Sequence, residues 1–105
     1  MELITTKVCM KGNIGVHGNL FGGTMLAWLD EAGAAFACEK AQSTHMVTRL
    51  IDKVEFSRPV KVGRIVKIYG EVLKMGTTSL TIRLKARSYN PHSGRMKSVC
   101  TTEMV

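Results

Sequence analysis

Two adjacent carboxylates, Asp30 and Glu31, lie in the middle of an apolar stretch and are well placed to do chemistry. A charge in the middle of a hydrophobic helix costs free energy unless something compensates or uses it. The residues three and four positions from Asp30 are all leucine, alanine or glycine, whereas Glu31 lies a further ~100° around the helix. We therefore predict that Asp30 is partly buried and acts as a general base, an ion pair being its alternative role. For Glu31 we predict a structural ion pair.

Two consecutive glycines, Gly22 and Gly23, directly precede this apolar stretch. Glycines at the start of a helix let a ligand approach the backbone closely. The first helical N–H groups have no intrahelical partner, and the helix dipole adds partial positive charge there. Such a terminus can bind an anion or stabilise the oxyanion that forms when a carbonyl is attacked. Tight packing of the loop against the helix is the alternative interpretation.

The loop before these glycines contains two further polar candidates, Asn19 and His17. An amide offers both donors and acceptors, so Asn19 can orient a water molecule or a substrate carbonyl. Asparagine is also a common turn residue, and that alternative stays open at this point. For His17 we identify no orienting partner and assign no role.

The elements that must position these residues are one helix and five strands. Apolar spacing predicts a helix that begins between Gly22 and Thr24 and ends near Ala41. This helix is apolar nearly all round, so the sheet must wrap around it or a second subunit must cover it. Alternating patterns and turn signals predict strands within 1–10, 45–59, 62–76, 77–90 and 95–105. Short connections favour an α+β fold in which an antiparallel sheet curls around the helix.

Composition narrows the class of protein. The chain has 105 residues, 45% of them hydrophobic, which predicts a single domain over residues 1–105. It stops at Val105 inside a predicted strand, which leaves room for a short natural tail. No apolar run reaches the ~20 residues of a membrane span and no signal peptide is evident, so we expect a cytoplasmic protein. Three distant cysteines predict no disulfide framework, and the histidine spacing predicts no metal site.

The net charge of +7 is concentrated in the second half of the chain. Residues 56–102 contain ten lysines or arginines and one acid, Glu71. Such asymmetry favours an anionic partner, which could be nucleic acid, a phosphate-bearing small molecule or only counterions. The six aromatic residues are not interleaved with the basic strand residues, as an RNA-stacking platform requires, so we predict no nucleic-acid partner.

The segment HGNLFGGTMLAWLDEAGAAFA resembles the acyl-CoA thioesterases of the hotdog fold, the group that includes the brain-type acyl-CoA hydrolase and its small bacterial relatives. The likeness continues through VTRLIDKVEFSRPVKVGRIVKIYGEV and GTTSLTIRLKAR, so it spans most of the chain. Its most specific part combines Asn-x-x-Gly-Gly, an aspartate seven residues later, and F-x-x-P-V-x-V-G.

The resemblance implies a hotdog fold, in which a five-stranded antiparallel sheet wraps one long helix and two protomers join edge to edge. By position, Asp30 matches the catalytic carboxylate and Asn19 matches the asparagine contributed by the other protomer. The backbone N–H of Gly22 or Gly23 matches the group that polarises the thioester carbonyl. The implied reaction is hydrolysis of fatty acyl-CoA to fatty acid and CoA, with Asp30 as general base or as nucleophile. No cofactor is implied beyond the CoA of the substrate.

The resemblance also gives the basic half of the chain a candidate partner, the phosphates of CoA. The implied CoA-binding positions are Arg58, Lys61, Thr78 and Ser79, together with Arg95. One position departs from the family pattern, because relatives have an arginine after the glycine where this chain has Thr77 after Gly76. The partners implied are therefore acyl-CoA and a second copy of the chain, with neither nucleic acid nor membrane.

Two other functions remain open at this point. A hotdog dehydratase or hydratase would keep the fold, but it uses a catalytic histidine paired with an acid in local motifs that this sequence lacks. A non-enzymatic acyl-CoA sensor or interaction module would keep the binding site and lose turnover. Its basic face could bind nucleic acid, but the sequence has no separate DNA-binding segment for that activity.

Overall fold

The computed structural model describes residues 1–43, 48, 51–76, 79–92, 94 and 96–104. Over these residues the chain forms one helix, a short 3-10 turn at Lys11–Asn13 and a single five-stranded sheet. The helix is α1 (Gly22–Ala41), and the strands are β1 (Glu2–Val8), β2 (Ile51–Phe56), β3 (Ile65–Met75), β4 (Leu80–Tyr89) and β5 (Met96–Met104). The strand order is β1-β3-β4-β5-β2, with every pairing antiparallel. The predicted α+β architecture is confirmed.

The helix has the predicted bounds, and its ends have clear local causes. Phe21 is extended (φ −66°, ψ 133°), and the amide of Met25 donates to the Phe21 carbonyl oxygen at 3.1 Å. At the other end Gln42 adopts the left-handed conformation (φ 53°). The amides of Gln42 and Ser43 then donate back into the last turn, which ends the helix at Ala41.

The core lies between one face of α1 and the inner face of the central strands. Four apolar helix residues are buried there against alternate residues of β3 and β4: Met25, Leu29, Ala32 and Phe36 pack with Val66, Ile68, Leu84 and Ala86. A Cβ atom at Gly70 would lie 2.7 Å from Ile4 Cδ1 and 3.3 Å from the Phe36 ring. Glycine at this position of β3 therefore lets the helix approach the sheet.

The helix is not covered all round. Ala27, Asp30, Glu31 and Ala35 are exposed, and Trp28 is half-buried. The helix packs chiefly against β4, then β3 and β1, and β2 and β5 make no comparable contact within the described residues. Ile51 and Val54 of β2 pack at the edge of the same core, whereas the exposed helix residues have no cover among the described residues of a single chain.

The expectation that aromatic and basic residues are not interleaved is wrong. The register of β3 and β4 places Lys67 opposite Arg87, and Tyr69 opposite Lys85. Lys67 Nζ lies 5.1 Å from the ring centroid of Tyr89, and Arg87 Cζ lies 5.0 Å from that of Tyr69. The alternation is already present along each strand, because Lys67 and Tyr69 in β3, and Arg87 and Tyr89 in β4, are two positions apart and share one face of the sheet.

Candidate active site

Residues 14–20, before the helix, form a narrow loop whose two ends lie side by side. Asn19 therefore lies next to Gly15, near the start of the loop. Ile14 bridges to Leu20, and the amide of Gly15 donates to the carbonyl oxygen of Asn19 at 2.9 Å. Gly18 closes the turn at a positive φ of 77°, a conformation that favours glycine. His17 lies at the exposed tip of this loop, so the structure gives no support for a role in the chemistry.

Backbone hydrogen bonds fix this loop against the connection between β2 and β3. The amide of Leu20 donates to the carbonyl oxygen of Val60 at 2.7 Å, and Asn19 bridges to Lys61. The amide of Phe21 donates to the carbonyl oxygen of Asn13 at 2.9 Å. The two chain segments that the sequence analysis singled out, the pre-helix loop and the region around Pro59, are therefore in direct contact.

A cleft of about 300 Å³ opens where these two segments meet the start of α1. It is lined by loop, helix and strand-connection residues: Asn19, Leu20, Gly22, Met25, Phe56, Ser57, Arg58, Pro59 and Val60. Mixed apolar walls with a few converging polar groups are typical of a small-molecule site. The structure thus brings together three of the predicted site residues, namely Asn19, Gly22 and Arg58.

The helix N-terminus at this cleft is open. The first intrahelical bond is made by the amide of Met25, so the amides of Gly22, Gly23 and Thr24 have no partner within the helix. Among the residues that the structure describes, no side chain caps this end, and its first turn contains no acidic residue. A Cβ at Gly23 would lie 2.7 Å from the Phe21 ring, whereas one at Gly22 would make only ordinary contact. These amides and the helix dipole favour a negatively charged oxygen at the cleft.

The carboxylate of Asp30 is held by a residue that the sequence analysis missed. The hydroxyl of Thr48 donates to Asp30 Oδ1 at 2.7 Å, across 18 positions of sequence. Nothing in the local pattern around Thr48 marks it, because the contact depends on where the chain re-enters the sheet. Asp30 itself is exposed, so the prediction of partial burial is wrong for a single chain.

Asp30 is not among the residues that line the cleft of its own chain. It lies eight residues after Gly22, which is about 12 Å along the helix axis. The carboxylate and the cleft are therefore two separate places on one protomer.

The remaining predicted residues have the following positions. Glu31 is exposed, and within the described residues it forms no ion pair, so its predicted salt bridge is not observed. Lys61 is exposed beside Asn19 without lining the cleft, and Ser79 lies in the connection between β3 and β4, where its carbonyl oxygen accepts from the Gly76 amide at 2.8 Å. Thr78 and Arg95 lie outside the described residues.

Two further observations bear on the available chemistry. Burial raises the pKa of the Cys9 thiol, and its side chain is fully buried, so this thiol stays protonated and is a poor nucleophile. Within the described ranges, no group of three or more His, Cys, Asp or Glu residues could hold a metal ion. Nor does that part of the chain contain a helix with the length and hydropathy to cross a bilayer.

Comparison with known proteins places the chain in a family. Residues 17–94 match the thioesterase superfamily. The acyl-CoA thioester hydrolase YciA of Salmonella typhimurium is 34% identical over 84 residues, a match that covers 80% of this chain and 62% of that protein. The chain therefore spans less than two thirds of the length of this relative.

Solved structures show the same fold. A hexameric hotdog-fold thioesterase of Campylobacter jejuni superposes with a TM-score of 0.87 at 30% identity, over 99% of this chain and 80% of that chain. The acyl-CoA hydrolase of Staphylococcus aureus, solved with butyryl-CoA, CoA and CoA disulfide, gives a TM-score of 0.89 at 25% identity, over 95% of this chain and 60% of that chain. Since the family match covers most of the chain and the architecture agrees throughout, this chain belongs to the thioesterase superfamily and has the hotdog fold.

Proposed function

We propose that this protein hydrolyses acyl-CoA thioesters to a carboxylic acid and CoA. The observation that carries the proposal is the open N-terminus of α1 at a cleft that Asn19, Gly22 and Arg58 line together. Its relatives supply the substrate class, since the Salmonella protein is an acyl-CoA thioester hydrolase and the Staphylococcus structure contains acyl-CoA.

The helix N-terminus acts on the thioester carbonyl. Attack on this carbonyl places negative charge on its oxygen, and the free amides of Gly22 or Gly23 donate hydrogen bonds to that charge. One such donor contributes about 3–4 kcal/mol to stabilisation of the transition state in comparable oxyanion sites. Asn19, at the edge of the same cleft, orients the carbonyl or the attacking water through its amide group.

Asp30 supplies the base or the nucleophile. As a base, its carboxylate takes a proton from water, the hydroxide oxygen bonds to the carbonyl carbon, the C–S bond breaks, and the thiolate of CoA leaves and is protonated. As a nucleophile, the carboxylate itself bonds to the carbonyl carbon and expels the thiolate, and water then hydrolyses the anhydride. In both routes the Thr48 hydroxyl holds the reacting carboxylate in place.

The reaction requires a second copy of the chain. Asp30 is exposed, does not line its own cleft, and lies about 12 Å along the helix from Gly22. The apolar helix also leaves Ala27 and Ala35 exposed and Trp28 half-buried on a single chain. We infer a dimer in which the Asp30 of one protomer reaches the cleft of the other, so that two symmetric sites form. The Campylobacter relative is hexameric, which is compatible with assembly from such dimers.

CoA enters over the connection between β2 and β3. Arg58 lines the cleft and Lys61 lies exposed beside Asn19, so both are positioned to meet phosphates of the substrate. Arginine binds phosphate oxygens with two parallel N–H donors, which fixes orientation as well as adding affinity. Thr78, Ser79 and Arg95 remain candidates for CoA contacts contributed in the assembly.

The experiment that tests the function measures free thiol released from acyl-CoAs of graded chain length, with equilibrium binding of the same compounds in parallel. We expect turnover by the wild type and its loss in Asp30→Asn with binding retained. An acyl-CoA sensor would instead bind without releasing thiol, in the wild type as well as the variant. Hydration or dehydration of an enoyl- or hydroxyacyl-CoA with the thioester intact would indicate a hotdog hydratase.

A further inference from the structure

The cleft at the start of α1 has a buried apolar floor and an exposed rim. Met25 and Val60 line it, are each 3% exposed and belong to the core, and Leu20 packs against that core. The lining residues at the rim are all exposed: Phe56, Ser57, Arg58 and Pro59. The floor is therefore made from the core of one chain, whereas the rim faces solvent.

The two parts of an acyl-CoA suit these two regions of the cleft. This inference rests on the proposed function, in which the thioester carbonyl lies at the free amides of Gly22 and Gly23. An acyl chain is stabilised where it leaves water, which the apolar floor allows. The phosphates of CoA are charged and stay hydrated, and the cations Arg58 and Lys61 lie exposed on that side, at the rim and beside Asn19. From the carbonyl, the acyl chain therefore runs to the floor and the CoA runs over the rim.

Met25 is the floor residue next to that carbonyl along the helix. It follows Gly22 by one turn on the same face of α1, ~4.5 Å further along the axis, and side chains on a helix lean toward its N-terminus. Leu29, the next residue on this face, is fully buried and is not among the described residues that line the cleft. In this direction the cleft therefore ends at the Met25 side chain.

The volume of the cleft limits the length of the acyl chain. At about 300 Å³ the cleft is twice the size of the ~150 Å³ apolar cavity that binds one benzene molecule in another protein, so it holds about twelve non-hydrogen atoms. The sulfur and oxygen of the thioester occupy part of this space, which leaves room for about ten acyl carbons. We propose that Met25 closes the acyl pocket and that the substrates are short- and medium-chain acyl-CoAs, with at most about ten acyl carbons.

The test is equilibrium binding of CoA and of S-alkyl-CoA thioethers of graded chain length to the wild-type protein, since a thioether cannot be hydrolysed. We expect the affinity to rise about fourfold with each buried methylene and to level off at or before about ten carbons. Met25→Leu keeps the core volume and shortens the side chain, so the levelling should move about one carbon further. Met25→Ala removes about three non-hydrogen atoms and should move the levelling about two to three carbons further. The affinity for CoA itself should not change.

The matched control is Phe36→Leu, which removes about as many atoms from the same core, about 16 Å beyond Met25 along α1. Phe36 does not line the cleft, so the levelling should stay at the wild-type length. The pocket would be contradicted by an equal displacement in Phe36→Leu, by no displacement in either Met25 variant, or by a wild-type affinity that keeps rising up to the hexadecyl thioether. A change in the affinity for CoA itself as large as that for the long thioethers would assign the floor to the pantetheine arm and overturn the acyl pocket.

Thiol release from the matching acyl-CoAs separates this pocket from the proposed reaction. Release by the wild type with no displacement in the Met25 variants would overturn the pocket alone. The expected displacement without release from any acyl-CoA would overturn the hydrolysis and still support the acyl pocket.

Discussion

The cleft at the start of α1 and the carboxylate further along the same helix are built in different ways. The cleft is made largely of backbone: hydrogen bonds join the pre-helix loop to Val60, and the open amides of the first helical turn supply its positive character. The carboxylate of Asp30 is instead held by a side-chain contact, the 2.7 Å hydrogen bond from Thr48.

The cleft and the carboxylate therefore differ in how far a single chain builds them. Because backbone bonds within one chain fix the cleft, each protomer carries a formed cleft of its own. The carboxylate is exposed and lies about 12 Å along the helix from Gly22, so in the proposed dimer it serves the cleft of the other protomer. Substitutions in the cleft and at Asp30 can separate these two halves of the site.

The largest effect should come from the carboxylate. We expect Asp30→Asn to lower kcat about 10²–10⁴-fold, the usual contribution of a positioned acid or base, with the affinity for acyl-CoA retained. The matched control is Glu31→Gln, which removes the same charge from the neighbouring exposed position. Steady-state thiol release measures both. Equal losses in the two variants would contradict the assignment of chemistry to Asp30 alone.

Removal of the side-chain amide of Asn19 should have a smaller effect than removal of the Asp30 carboxylate. We expect Asn19→Ala to lower kcat/KM about 10²-fold, because the carbonyl or water loses its orienting group while the helix amides remain. Asn13, in the same loop, is the comparison residue, since its Oδ1 accepts from the Met10 amide at 2.9 Å and so has a structural use. Activity that survives in Asn19→Ala but is lost in a correctly folded Asn13→Ala would move this role to Asn13.

The Thr48 hydroxyl, which donates a hydrogen bond to Asp30, should contribute less to kcat than the Asp30 carboxylate itself. We expect Thr48→Val to lower kcat about tenfold, as part of the 1.5–3 kcal/mol typical of a hydrogen bond to a charged group is lost. KM should stay unchanged, and Thr48→Ser should restore most of the rate because it keeps the donor. A purely structural role would predict no difference between the valine and serine variants in kcat at equal stability.

The smallest effect on activity should come from a change in core packing that is remote from both the cleft and Asp30. A Cβ at Gly70 would lie 2.7 Å from Ile4 and 3.3 Å from Phe36, so we expect Gly70→Ala to lower the free energy of unfolding by about 1–3 kcal/mol. Denaturant titration measures this loss, and kcat per folded molecule should not change. A lower kcat with unchanged stability would show that the core of β3 communicates with the site.

The sequence predicted the fold well because strong local signals agree. The helix bounds follow from a glycine pair at one end and a continuous apolar pattern up to Ala41, and alternation along Leu80–Tyr89 marks the clearest strand. Gly22, Asn19 and Arg58 could be grouped because they lie in segments whose resemblance to the family is clear. The cleft that they share forms because the pre-helix loop is hydrogen-bonded to the connection between β2 and β3.

Other features depended on contacts that a linear pattern does not contain. Thr48 reaches Asp30 from 18 positions away, and no periodicity connects the two. The contact of Tyr69 with Arg87 depends on strand register, although the alternation of basic and aromatic residues is already visible in Lys67-x-Tyr69 and Arg87-x-Tyr89. Asp30 is exposed because helical phase shows which side of the helix a residue is on, but not whether another element covers it.

In the proposed dimer, one working site combines Asn19 of one protomer with Asp30 of its partner. It is tested most directly by co-expressing Asp30→Asn and Asn19→Ala chains with different affinity tags and purifying the mixed dimers. Random pairing makes half of the dimers mixed, each with one intact site of two, so the unfractionated mixture should recover about a quarter of wild-type activity. Purified mixed dimers with no more activity than the two inactive parents would contradict the account, because both residues would then act within one chain.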